Sequence, residues 1–351
     1  MFFGLNKNDI PIIKDVYKLT NANGAILATS GSGKSFFTKL LLSRHLLNDV
    51  KVMIIDPQSE YIKLVKKFNG EVIDISKDSN ITINPLDLMG HDYAEKRLSL
   101  MDLMPVMLGE VSEIQKATID RALTSCYEKK GITNDDKTWN NQPPILEDLL
   151  NELISMSKKA TIIEKPTYSS LINRLSMYTT GVFSFLNKYT KIDFNNQFVC
   201  FNIGEMPKQV KPTIMFLVLD YVYMKMKETR DKKILVIDEA WSLLNKVEEA
   251  SYIFEIVKTS RKFNLGLLLI TQDVADLLKS EAGNALLANS SYTILMRQKA
   301  AVIDDISRVF KLSRIERDKL LTANIGEGIL ILENEHSELK VIASDEEYKI
   351  V

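Results

Sequence analysis

The sequence is poor in the residues that build disulfide frameworks and transition-metal sites. Its 2 cysteines, Cys126 and Cys200, are far apart and form no Cys-x-x-Cys pair, so we expect both to be core thiols in a reducing compartment. Its 3 histidines, His45, His91 and His336, are isolated and lack metal-ligand spacing. We therefore expect structural or surface roles for the histidines and no metal site built on them.

Long apolar runs and an excess of charge of one sign are also lacking. No apolar run reaches the ~18 residues that a membrane-spanning helix needs, and the opening MFFGLNKND has no signal-peptide layout. The formal net charge is −1, so no global basic field argues for nucleic acid or an anionic membrane. The 351 residues, 45% of them hydrophobic, are enough for a large core and two domains. We expect a cytoplasmic protein.

A glycine-rich segment, Ala28–Ser35 (ATSGSGKS), lies between an apolar run and a helical pattern. Gly24–Ala28 suits a buried strand, and Phe36–Leu47 carries apolar residues at helical spacing. This order is the context of a phosphate-binding loop, in which backbone N–H groups and a helix N-terminus converge on an anion. Lys34 is then placed for the β- and γ-phosphates and Ser35 for Mg²⁺.

One position departs from the usual loop pattern, and one alternative has to be weighed. Ala28 stands where a glycine is usual, which costs little if its φ is negative and ~1–2 kcal/mol if it is left-handed.

Two glycines of this segment would also fit a dinucleotide-binding fingerprint, with Asp56 after the next apolar run. The third glycine position of that fingerprint is however Phe36, and a Lys-Ser pair has no role in it. A triphosphate is favoured over NAD. The residues predicted to bind it are Thr29, Ser30, Gly31, Ser32, Gly33, Lys34, Ser35 and Phe36.

A second apolar run ends in two acids. Ile234–Ile237 leads into Asp238 and Glu239, which places both carboxylates at the carboxyl end of a buried strand, where α/β proteins form ligand sites. Asp238 is positioned to hold Mg²⁺, directly or through water. Glu239 suits a base that orients and polarises the attacking water. The structural alternative is that the two acids cap the next helix.

A third apolar run, Leu267–Ile270, leads towards Gln272. We predict that Gln272 senses the γ-phosphate or its attacking water. The alternative is that Thr271 and Gln272 only begin the next helix. Upstream, Arg261 closes the helical stretch Glu248–Lys262. It suits either the helix dipole or an arginine finger that enters a neighbouring subunit's site. Arg297 is in a similar position after another strand, so the sequence leaves open which arginine acts in trans.

The segment Asp56–Tyr61 follows the second strand, which we expect beside the phosphate loop in a doubly wound sheet. Its carboxylates, on Asp56 and Glu60, suit either support of Mg²⁺ and the attacking water or capping of the helix that follows, and the structural role is slightly favoured. Trp241 is expected to pack behind the acidic pair.

Apolar strand patterns alternate with helical patterns along the chain, which predicts an α/β fold with a mostly parallel central sheet covered on both faces. Successive amphipathic helices interrupt the alternation, so we predict a nucleotide-binding domain at 1–92 and 181–351 with an inserted all-α subdomain at 93–180. The far end, from Gly326 to Ala343, is expected to form an antiparallel hairpin at a sheet edge.

Together these segments resemble the ATPases of type IV secretion and conjugation systems, the TraC-like class equivalent to the fourth VirB component. This class is a branch of the FtsK/HerA group of RecA-like P-loop motor ATPases. The phosphate loop and the Asp-Glu pair are shared by many motors, whereas DEAW with a later RK and TQ is narrower. The matching pieces are Gly4-Leu-Asn, ATSGSGKS, Asp56–Tyr61, Ile83–Asp87, Thr180-Gly181-Val-Phe, Phe201–Ile203, Asp238-Glu239-Ala240-Trp241, Arg261-Lys262, Thr271-Gln272 and Gly326-Glu-Gly328.

The resemblance implies Mg²⁺-dependent ATP hydrolysis that powers apparatus assembly, pilus biogenesis or substrate transfer. It implies docking at the inner face of the cytoplasmic membrane through protein contacts, with other secretion components and related ATPases as partners, and a possible homo-hexamer. It carries over Ser35 and Asp238 as Mg²⁺ ligands, Glu239 as the base, Gln272 as the sensor and Arg261 as the finger. The resemblance also implies an N-terminal domain that this sequence does not include, so we expect the sequence to be a C-terminal fragment.

Two other functions stay open from the sequence. A DNA translocase or coupling protein of the same group would place lysines and arginines on pore loops. Only scattered basic pairs occur, such as Lys66-Lys67 and Lys232-Lys233, which counts weakly against DNA and leaves direct DNA binding open. A nucleotide-gated scaffold would bind ATP with little turnover, and the presence of both Glu239 and Gln272 argues against it.

Overall fold

The computed structural model describes residues 1–239, 247–272, 274–279 and 281–351. By contacts the chain divides into two compact units. The first unit comprises Met1–Ile73, Phe194–Gly204 and Met226–Val351, and the second comprises Asp74–Asp193 and Glu205–Lys225. The domain limits proposed from the sequence, with an insertion at 93–180, stay a prediction. Trp241 lies outside the described residues.

The strands of the described residues form one sheet of 11 strands in the order β2-β1-β11-β10-β9-β3-β8-β7-β4-β6-β5. Their bounds are β1 Phe2–Leu5, β2 Pro11–Ile13, β3 Gly24–Leu27, β4 Lys51–Asp56, β5 Glu71–Asp74, β6 Phe198–Asn202, β7 Lys233–Ile237, β8 Leu265–Thr271, β9 Tyr292–Met296, β10 Glu327–Leu332 and β11 Glu335–Lys340.

The centre of the sheet is parallel, as the alternation of strands and helices predicts. Strands β9, β3, β8, β7, β4 and β6 pair in parallel, and every residue of β3, β6, β7, β8 and β9 is buried. Uniform burial explains why these strands are continuous apolar runs rather than alternating ones. The predicted α/β fold class is thereby confirmed. The carboxyl ends of the parallel strands share one edge, which gathers the polar residues that follow them.

Two expectations about the sheet are wrong. The β10–β11 hairpin forms but does not lie at a sheet edge, because β11 pairs with β1 and β1 with β2. Strands β1 and β2 were not predicted, because they are too short to give a periodic signal. Strand β4, which ends at Asp56, is also not beside β3, since β8 and β7 lie between them. After β3 the chain passes over the positions of β8 and β7 to form β4, and β7 and β8 are added between them later in the sequence.

N-cap residues explain where two of the helices begin. Gly33 begins α1, the helix after the phosphate loop, and Ser112 begins α4 with a capping box to Gln115. Among the described residues, none of the helices combines the length and apolarity that crossing a membrane requires. Their bounds are α1 Lys34–Leu46, α2 Ile62–Lys67, α3 Tyr93–Leu108, α4 Glu113–Lys129, α5 Leu146–Lys159, α6 Lys165–Thr179, α7 Lys211–Lys227, α8 Val247–Thr259, α9 Val274–Lys279, α10 Glu281–Ala288, α11 Ala300–Val309, α12 Arg314–Thr322 and α13 Asp345–Ile350.

The second unit contains α3 to α6 and a buried polar cluster. Asp220 accepts from His91 Nε2 through Oδ1 at 2.7 Å and from Lys96 Nζ through Oδ2 at 3.1 Å. All three side chains are buried, so the hydrogen bonds satisfy groups that would otherwise be costly to remove from water. His91 thus has the structural role expected for it.

Candidate functional site

The phosphate loop connects β3 to α1 with the backbone conformations that its glycines permit. Gly31 has φ of 77° and Gly33 has φ of 93°, both in the left-handed region. Ala28 is fully buried and has no positive φ, so alanine carries no backbone penalty there. The departure from the usual glycine is therefore compatible with the loop, as the negative-φ case predicts.

The loop leaves a set of backbone donors available for an anion. Within the part of the chain that the structure describes, no protein acceptor takes a hydrogen bond from the N–H groups of Ser30, Gly31, Gly33, Lys34, Ser35 and Phe36. The loop itself is held from outside, because Thr29 donates to the carbonyl oxygen of Arg297 at 3.1 Å and Gly326 donates to that of Ser32 at 3.0 Å. Free amides at a helix N-terminus form an anion site.

The buried ammonium of Lys34 joins this loop to the acids after β7. Its Nζ lies 2.8 Å from Oδ1 of Asp238 and 3.6 Å from Oε1 of Glu239. Lys34 is 5% exposed and Asp238 1%. The structure thus brings together three residues that the sequence placed in one catalytic set from separate segments.

Both carboxylate oxygens of Asp238 have protein donors. Oδ1 also accepts from the backbone N–H of Glu239 at 2.9 Å, and Oδ2 accepts from the hydroxyl of Tyr61 at 2.9 Å. The pKa of Tyr61 is raised well above its ordinary value, first by burial and then by the charge of Asp238. The hydroxyl therefore stays protonated and acts as a donor.

Glu239 and Gln272 meet at the ends of the neighbouring strands β7 and β8. The Nε2 group of Gln272 donates to Oε1 of Glu239 at 3.0 Å. Glu239 has φ of 51°, a left-handed conformation that is uncommon for this residue type and often found at functional sites. The amide thus orients the carboxylate that the sequence predicts as the base.

The oxygen donors present fit a magnesium ion bound with a nucleotide. Mg²⁺ is usually held by one or two carboxylates or hydroxyls together with substrate phosphates, rather than by an all-protein cage. Asp238 supplies a buried carboxylate, and Ser35 supplies a hydroxyl directly after Lys34 in the phosphate loop. Among the described residues no cluster of three acidic, histidine or cysteine side chains forms an independent metal site.

The two candidate arginines occupy different environments. Arg297 follows β9, and its Nη2 lies 3.2 Å from the carbonyl oxygen of Gly31. Arg261 is exposed in a single 3-10 turn, Ser260–Phe263, after α8. In the described ranges neither arginine has a carboxylate partner. The structure places Arg297 on the phosphate loop of its own chain and does not bring Arg261 into the cluster.

The segment after β4 contributes Tyr61, which was not among the predicted site residues. The Asp56 carboxylate accepts from the backbone N–H groups of Gln58 at 3.1 Å and Tyr61 at 2.9 Å, which is the local structural role favoured above. Burial raises the pKa of Asp56, and the Asp238 charge adds to the rise. Tyr61 itself was missed, because nothing in a single sequence indicates that its hydroxyl reaches Asp238.

Comparison with known proteins gives consistent matches. The family model of the TraG P-loop domain matches residues 5–343. Protein TraC of Escherichia coli (strain K12) is 25% identical over 301 residues, which are 80% of this chain and 33% of TraC. The chain thus spans about a third of that relative.

Solved structures agree with this result. The structure of VirB4 of Thermoanaerobacter pseudethanolicus is similar with a TM-score of 0.92 and 28% identity, covering 99% of this chain and 98% of that one. Plasmid coupling protein TrwB in complex with ADP and Mg²⁺ has a TM-score of 0.67 and 14% identity over 97% of this chain and 90% of that one, a likeness of fold.

Proposed function

Because the chain belongs to the TraG P-loop domain family, we propose that it binds Mg²⁺-ATP at the loop after β3 and hydrolyses it. The family resemblance that the motifs predict is confirmed, and the relatives include proteins named as type IV secretion system proteins. The observation that carries the proposal is the convergence of Lys34, Asp238, Glu239 and Gln272 beside a loop with free amides.

Each residue of the site has a role in the proposed reaction. The loop amides and Lys34 hold the phosphates, and Ser35 and Asp238 hold the metal, which supplies charge neutralisation of the phosphates when bound. Glu239 accepts a proton from the attacking water, and Gln272 fixes the orientation of that carboxylate. Phosphoryl transfer needs mainly positioning and electrostatic stabilisation, and these side chains provide both.

The cellular role proposed here is that of a motor for type IV secretion or conjugative transfer. Hydrolysis would power apparatus assembly, pilus biogenesis or substrate translocation at the inner face of the bacterial membrane, through contacts with other secretion components. This role is supported by the similarity to TraC and VirB4.

We propose that a second subunit completes the site through Arg261. Its exposed side chain is available to a neighbouring molecule, whereas Arg297 already contacts the phosphate loop of its own chain. A cation supplied in trans stabilises transition-state charge and raises rates by about 10³–10⁵. We assign the trans role to Arg261 within a ring-forming, possibly hexameric, ATPase.

The test is ATP turnover per protomer as protein concentration rises, with Glu239→Gln as the blank. A specific rate that climbs with concentration supports a site completed between subunits, and no turnover in any oligomeric state despite ATP binding supports the scaffold alternative. Mixing Glu239→Gln with Arg261→Ala should restore activity, because each variant supplies the group the other lacks. Lys262→Ala is the matched control for Arg261→Ala, and equal loss in both would contradict the finger role.

A further inference from the structure

We propose that Tyr61 is a positioning residue that fixes the metal-binding carboxylate of Asp238, an inference that rests on the function proposed above. Its hydroxyl donates to Oδ2 of Asp238 at 2.9 Å, and its side chain has no solvent exposure. Both oxygens of Asp238 are therefore held by donors, Oδ1 by Lys34 and by the backbone of Glu239, and Oδ2 by Tyr61.

The loop that carries Tyr61 is itself fixed at several points. Asp56 accepts from the backbone N–H of Tyr61, and Ser59, in a left-handed conformation with φ of 61°, donates through Oγ to Oδ1 of Asn202 at 2.8 Å. The N–H of Gly204 donates to the same Asn202 oxygen at 3.2 Å. Loops after the adjacent strands β4 and β6 are thus joined, which holds the phenol of Tyr61 in place.

The position of Tyr61 matters because β4 is not next to β3. The side chain of Tyr61 reaches from the loop after β4 to Asp238 at the end of β7, which is the strand next to β4. Groups that hydrogen-bond a metal-binding carboxylate orient it, and their removal typically costs 10- to 100-fold in metal affinity or activity. Tyr61 would act on metal binding through Asp238 and would not touch the nucleotide.

Tyr17 offers a matched control, because it contacts the opposite end of β7. Tyr17 donates through its hydroxyl to the backbone oxygen of Lys233, the first residue of β7, at 2.8 Å. Tyr61→Phe and Tyr17→Phe therefore remove the same atom and one hydrogen bond each. Only the first removes a bond to the proposed metal ligand.

The experiment is an electron paramagnetic resonance titration of Mn²⁺ into the ADP complex of wild type and both variants, with ADP affinity in EDTA and melting temperature measured alongside. We expect Tyr61→Phe to weaken Mn²⁺ binding by about 10-fold or more, with metal-free ADP affinity unchanged. Tyr17→Phe should match wild type. Should Tyr61→Phe not fold, Ser59→Ala, which loosens the same loop, should weaken Mn²⁺ binding to a smaller extent.

Equal Mn²⁺ affinity in Tyr61→Phe and Tyr17→Phe would overturn the positioning role, even if both variants melt at lower temperature. If Ser59→Ala is the variant used, unchanged Mn²⁺ affinity would overturn it likewise. Wild-type protein that binds neither ADP nor Mn²⁺ would instead remove the proposed function and the inference with it. The two failures are therefore distinguishable.

Discussion

The ammonium of Lys34 and the carboxylate of Asp238 form a buried ion pair, with Nζ 2.8 Å from Oδ1. The pair connects the phosphate loop to the end of β7. Removal of one member of such a pair leaves an uncompensated buried charge, which typically costs about 3–5 kcal/mol. We therefore expect stability and nucleotide binding to be linked at this position.

Lys34→Met should abolish tight ATP binding and also lower the unfolding midpoint, because Asp238 loses its cation. Adding Asp238→Asn should recover part of the stability, since the remaining buried group is then neutral, without recovering ATP binding. Fluorescent-nucleotide titration and chemical unfolding measure the two effects separately. Tight ATP binding by Lys34→Met would exclude Lys34 from the phosphate site.

Gln272→Leu should slow turnover by about 10- to 100-fold, which corresponds to the loss of one hydrogen bond to a charged group. The reason is that Nε2 of Gln272 orients Oε1 of Glu239. ATP affinity should change little, because the contact is to the base. Steady-state kinetics separate kcat from KM, and a rise in KM at constant kcat would argue that Gln272 serves ground-state binding instead.

Arg297→Ala should weaken nucleotide binding by about 10-fold or more, the scale of a charged hydrogen bond, because its guanidinium lies on the phosphate loop. The loss should appear even at protein concentrations where subunits are separate. This behaviour contrasts with that expected for Arg261→Ala, whose effect requires assembly. An Arg297→Ala variant with normal affinity at low concentration and slow turnover only in assemblies would reverse the two assignments.

Buried His45 should make stability depend on pH. Burial lowers its pKa from 6.5 to about 3 in the folded protein, so between these values the unfolded chain binds a proton that the folded chain does not. The stability that this group preserves is complete above about pH 6.5 and is lost as pH falls, by up to ~1.4 kcal/mol per pH unit. Between about pH 3 and 6.5 the unfolding free energy should fall more steeply with decreasing pH in wild type than in His45→Phe. Equal slopes of unfolding free energy against pH would show that His45 does not contribute.

The central parallel strands and the proximity of the proposed site residues were predictable because each leaves a local signal. Apolar runs that end in Asp238, Glu239 or Gln272 indicate strand ends, and strand ends of a parallel sheet share one edge. The pairing of Lys34 with Asp238 follows from that shared edge.

The rest depends on contacts that a single sequence does not encode. Strand order is one example, since the position of β4 beyond β8 and β7 is set by crossovers and not by any residue pattern. The short strands β1 and β2 are another, because three or four residues give no periodicity. Tyr61 looks like an ordinary helix-start residue until its hydroxyl is located.

Gly204 lies so close to Ser59 that an added side chain would displace the Ser59 hydroxyl. A Cβ there would lie 2.0 Å from Oγ of Ser59, so a methyl group would take the place of the hydroxyl that joins Ser59 to Asn202. Displacement would travel along the loop to Tyr61 and from its phenol to Asp238. We therefore expect a side chain at position 204 to weaken metal binding at the proposed site, so that such a mutation would resemble one of the site residues themselves.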